Sequence, residues 1–107
     1  WTSEIIDAQA AANHGLVSEV SDAPMDAAMA LAKTLTARSP DAVRAIKTLI
    51  DTACDAAPET ALKIEAHLQW AMLQSANQKE AVMANLQKRA PDFGDPGSDP
   101  KKVLDAL

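Results

Sequence analysis

Three prolines, Pro24, Pro40 and Pro58, each stand at the head of a run of residues with helical periodicity. That punctuation constrains the fold more than any other feature. Proline has no backbone N–H to satisfy and its φ is already helical, so it suits a helix's first turn and is excluded from its interior. Ser21 and Asp22 offer caps ahead of Pro24, and Ser39 does so ahead of Pro40. Behind Pro24, residues Met25, Met29, Ala32 and Leu35 recur at three- and four-residue spacing to near Arg38. Behind Pro40, Val43, Ile46, Leu49, Ile50 and Ala53 make one apolar face that ends near Cys54. The run after Pro58 carries Leu62, Glu65, Leu68, Trp70, Met72 and Leu73 around much of its circumference, which predicts contacts on more than one side.

Weaker signals complete the outline. Asp7 is placed to cap the Ala-rich stretch Ala8 to His14, and Gly15 to close it in the left-handed conformation. Leu16 to Val20 reads as one short extended segment. Asn77 with Glu80 three residues on resembles a capping box opening a helix that carries Val82, Met83 and Leu86 and is ended by Pro91. Asp92 to Pro100 is turn-rich, and Lys101 to Leu107 reads as one last helical turn or a frayed end. The class is all-α, with about five helices and one short extended segment. Residues 1–93 form one helical region and residues 94–107 a turn-rich tail with a short terminal helix.

Composition bounds the function. In a chain of 107 residues, 48% are hydrophobic, but much of that is alanine, which buries little apolar area per residue. The core is therefore small, and burial is expected to be completed against other protein surface. A formal net charge of −5, with only Trp1, Trp70 and Phe93 as aromatics, lacks the basic field and stacking platforms of nucleic-acid binding. The apolar runs fall short of a bilayer span and no signal peptide is visible, so a soluble, cytoplasmic protein is expected. Cys54, the single cysteine, allows no intrachain disulfide and reads as a small packed hydrophobe on a helix.

No local motif runs a reaction by itself. His14 and His67 stand at no metal-ligand spacing and read as surface or boundary residues. With Gly15, Gly94 and Gly97 as its only glycines, the chain has no phosphate-cradling loop. Glu65, among apolar helix neighbours, is expected to be partly buried in a structural salt bridge. Lys88 and Arg89 near a helix end either offset the negative end of the helix dipole or meet an anionic ligand.

Three stretches carry a resemblance along nearly the whole chain. The first is Ile6 to Val20, an Ala-rich helix closed by Gly15-Leu16-Val17. The second is Ser39-Pro40 to Lys47. The third is Glu65, Ser75, Glu80, Ala84, Lys88, Arg89, Pro91 and Phe93, in order and at their intervals. Together they resemble the C-terminal helical region of the crotonase (enoyl-CoA hydratase/isomerase) family. The resemblance implies an acyl-CoA enzyme that holds a thioester carbonyl in an oxyanion hole of two backbone N–H groups, with two glutamates moving water and protons in the hydratases. Those elements belong to an N-terminal core upstream of the matched region, so no catalytic residue is assigned here, and no metal or cofactor. The helical region packs on that core and builds a trimer, often doubled to a hexamer. The resemblance also implies that Lys88 meets the phosphate of a coenzyme A thioester bound to a neighbouring subunit. The aromatic that accompanies that lysine in some members is replaced by Asn85, which removes its stacking half. Glu80-Ala81 stands where the family usually has Glu-Gly.

Two other readings stay open on sequence alone. One is a free-standing all-α interaction module with no acyl-CoA chemistry. The other is a family paralogue without catalysis.

Overall fold

Six helices follow one another in the computed structural model, which describes residues 2–97 and 99–105: α1 (Ala8–Asn13), α2 (Pro24–Thr36), α3 (Pro40–Ala53), α4 (Pro58–Leu73), α5 (Ala76–Leu86) and α6 (Pro100–Leu104). Among the described residues there is no strand. Trp1, Ser98, Ala106 and Leu107 lie outside them, including the end of the expected last turn. The three prolines that mark helix starts in the sequence do begin α2, α3 and α4. The tail contributes a sixth helix because Pro100 and the Asp99 side chain, which accepts from the Lys101 N–H at 3.1 Å, repeat the same start signal.

The chain divides into two compact units, one ending at Thr34 and one beginning at Leu35. In the first, the Asp7 carboxylate accepts from the Ala10 N–H at 2.7 Å and caps α1. Gly15, at φ +73°, closes it: the Gly15 N–H reaches the Ala12 carbonyl and the Leu16 N–H the Ala11 carbonyl, a Schellman closure that glycine enters without steric cost. The segment read as extended after it bends over residues 16–18, because Leu16 is still bonded back to α1. Met25, Met29 and Leu31 on α2 are exposed.

In the second unit α3 packs most extensively on α4, and α5 and α6 each pack on both. Its core is slight: among the described residues, Ala45, Ile64, Leu68, Ala84 and Pro100 are its buried apolar residues. The orientation of α3 departs from the sequence expectation. The buried face is Asp41, Ala45 and Thr48, while Ile46 (57% exposed) and Ile50 (55%) of the apolar stripe face outward. Small residues let the helices approach closely, and they leave the larger side chains outside. On α4, Ile64 and Leu68 point inward one turn apart, whereas Leu62, Trp70 and Leu73, for which contacts were expected, are exposed.

Three local expectations need correcting. Cys54 is exposed at the C-cap of α3, because Pro58 favours extended backbone at Ala57 (ψ 146°) and the helix must stop before it. Glu65 is exposed and makes no ion pair among the described residues. The cap of α5 is Ser75, whose hydroxyl accepts from the Gln78 N–H at 3.0 Å, so Asn77 and Glu80 are released from the capping box for other partners.

Candidate functional site at the end of α5

Helix α5 ends at Leu86, and the next residues reverse the chain. Lys88 adopts φ +51°, its N–H donates to the Asn85 carbonyl at 3.2 Å, and the Arg89 N–H donates to the Ala84 carbonyl at 3.0 Å. This is the same Schellman closure that ends α1, with lysine in the left-handed position glycine usually holds. Its consequence is directional: Arg89 is sent back along α5 toward Glu80.

There the Arg89 guanidinium grips both Glu80 carboxylate oxygens, with Nη2 donating to Oε2 at 2.9 Å and Nη1 to Oε1. Its Nε donates to Gln87 Oε1 at 2.7 Å, and the Asp92 N–H donates to Glu80 Oε1 at 2.7 Å. Hydrogen bonds from Arg89 and then from the Asp92 backbone hold the Glu80 carboxyl down from its ordinary 4.5 to about 2, and the same contact raises Arg89. Arg89 is thus committed to the fold. Lys88 is exposed and has no hydrogen-bonding or ion-pairing side-chain partner among the described residues. Asn85 is also exposed, one turn earlier on α5. Of the Lys88-Arg89 pair, only Lys88 keeps a cation available to a ligand.

At the start of α5 sits a polar junction that the sequence reading missed. Asn77 and Asp41 (1% exposed) are both buried. Asn77 Nδ2 donates to Asp41 Oδ2 at 2.8 Å and to the Gly94 carbonyl at 3.2 Å, and Asn77 Oδ1 accepts from the Gly94 N–H at 3.0 Å. Asp41 Oδ1 accepts from the Gly97 N–H at 2.8 Å. The two side chains therefore pin the segment after Phe93 to the starts of α3 and α5 and fix where the reversed chain goes. A usable signal was present: with Ser75 taken as the cap, the amide of Asn77 inside the first turn needs a partner elsewhere.

His14 is exposed, and so is His67, whose Nδ1 donates to the Lys63 carbonyl at 2.8 Å within its own helix. Among the described residues no group of three or more His, Cys, Asp or Glu side chains could hold a metal ion, and no helix is long and apolar enough to cross a membrane.

The helical order, the Gly15 closure and the reversal at Lys88 define the C-terminal helical region of a crotonase-like fold. Residues 1–96 match the family described as enoyl-CoA hydratase/isomerase, and the chain belongs to that family. It is 35% identical over 94 residues to the 2,3-dehydroadipyl-CoA hydratase of Escherichia coli (strain K12), covering 86% of this chain and 37% of that protein. A crystal structure of an enoyl-CoA hydratase from Polaromonas sp. JS666 superposes with a TM-score of 0.76 at 32% identity, covering 83% of this chain and 35% of that one. The chain thus spans little more than a third of the length of these relatives.

Proposed function

We propose that these helices are the oligomerising part of an enzyme that adds water to 2-enoyl-CoA thioesters. The observation that carries the reading is the outward-facing apolar surface of the second unit: Ile46 and Ile50 on α3, Leu62, Trp70 and Leu73 on α4, and Leu86 on α5. In a member of this family so little of whose core is filled, such faces call for further protein surface. The polypeptide of the N-terminal crotonase core is one cover and neighbouring subunits of a trimer or hexamer are the other. Chemistry on the thioester, an oxyanion hole of two backbone N–H groups with glutamates that move water and a proton, is supplied by that core. The lone free thiol at Cys54 fits a cytoplasmic setting.

Lys88 is the residue of this region that meets substrate in this reading. It follows the end of α5 with a left-handed backbone, and its ammonium pairs with a phosphate of acyl-CoA bound to a neighbouring subunit. Asn85 withholds the aromatic stacking that would share the work. The test is twofold. The chain alone should not hydrate crotonyl-CoA, and in the enzyme that carries the core Lys88→Ala should weaken binding of coenzyme A by about tenfold, the loss of one charge-assisted contact. Turnover by the 107-residue chain, or coenzyme A binding indifferent to Lys88, would contradict the assignment.

A further inference from the structure

The chain's three arginines, Arg38, Arg44 and Arg89, all line one pair of neighbouring cavities, and Arg38 and Phe93 border both. One cavity, of about 370 Å³, is bounded by Arg38, Pro40, Arg44 and Phe93; the other, of about 290 Å³, by Arg38, Ser39, Asn85 and Arg89. Among the described residues no aspartate or glutamate lines either, although acidic residues outnumber basic ones 15 to 10 in the chain. At roughly 30 Å³ per water, either space accommodates a hydrated oxyanion.

The three guanidiniums differ in commitment. Arg89 is gripped by both Glu80 oxygens, and Arg44 lies 4.0 Å from Asp99. The Arg38 side chain has no hydrogen bond or ion pair among the described residues. Ser39 and Pro40, which open the 14-residue helix α3, each border one of the cavities, so the positive end of that helix adjoins the same space. The Asp41 carboxylate in that first turn is engaged by Asn77 and Gly97. An unpartnered fork of donors, a helix N-terminus and an absence of lining carboxylates coincide here.

We propose that the arginine-lined cavities around Phe93 form a binding site for a phosphate monoester, with Arg38 as the principal ligand. The planar guanidinium presents paired N–H groups that match two phosphate oxygens, Arg44 adds charge to one cavity, and Phe93 lines both. Lys88 lines neither cavity, so the site does not rest on the contact assigned to that residue.

The test is a titration of the chain followed by its amide NMR spectrum. Sodium phosphate and adenosine 3′,5′-bisphosphate serve as probes at constant ionic strength, with sodium chloride as blank. Phosphate should move the amides of Arg38, Val43, Phe93 and Gly94. Arg38→Gln should weaken it about tenfold or more, and Arg38→Lys should fall between. Within that result, equal affinity for the two probes identifies free phosphate as the source, and tighter bisphosphate identifies a nucleotide. Phosphate shifts no different from those in chloride, or unaltered by Arg38→Gln, would overturn the site. Loss of bisphosphate binding in Lys88→Ala with full retention in Arg38→Gln would also overturn it, and would leave the Lys88 contact standing.

Discussion

Asn77 reaches across 36 residues of chain to place its amide nitrogen 2.8 Å from the Asp41 carboxylate, with both side chains buried. The pair joins the first turns of two helices and, through Gly94 and Gly97, the segment that follows them. A unit with so few buried apolar side chains depends on such a junction for its geometry.

Removing the junction should therefore be costly. Asn77→Ala strands the Asp41 carboxylate and two backbone groups of Gly94 without their partner, and we expect a loss of about 3 kcal/mol, at the upper end for hydrogen bonds to a charged group. Urea unfolding monitored by circular dichroism measures it. A midpoint within error of wild type would show that water substitutes fully for the amide.

Glu80 gives a pH dependence with a definite sign. Its carboxyl is lowered from 4.5 in the unfolded chain to about 2 in the folded one, so its contribution is complete above about 4.5 and is lost as pH falls toward 2. Melting temperatures of wild type and Glu80→Gln should differ at neutral pH, in favour of wild type, and converge across that acid window. Parallel curves throughout would mean that the Arg89 pair contributes nothing that depends on ionisation.

In the proposed reading Lys88 sets stability against ligand binding. A non-glycine residue at φ +51° is strained, so Lys88→Gly should stabilise the chain by about 1 kcal/mol. It should at the same time weaken coenzyme A binding, because the ammonium is gone. Thermal melts and calorimetric titration on the same variant separate the two effects. Destabilisation on melting would show that the lysine side chain serves the fold.

Much of the fold is legible in the sequence because its helices are punctuated by local chemistry. Proline at a first turn, Asp7 as a cap and Gly15 as a closure act within a few residues, and each is found where the sequence places it. What is decided at long range is not legible in this way. The stripe through Ile46 and Ile50 looks like a core face, yet the interior of this unit takes Asp41, Ala45 and Thr48. Periodicity identifies an apolar face but not which surface covers it. The site shows the same division. Lys88 and Asn85 are proposed from the family pattern, whereas the reversal that binds Arg89 to Glu80, and the convergence of Arg38 and Phe93, arise from chain geometry.

Assembly through these helices is the proposal, and light scattering coupled to size-exclusion chromatography measures it. A chain of 11.3 kDa should scatter with the mass of three such units, with little binding of an apolar dye once the faces at Ile46, Trp70 and Leu86 are covered. A stable 11.3 kDa monomer that leaves the dye dark would contradict it.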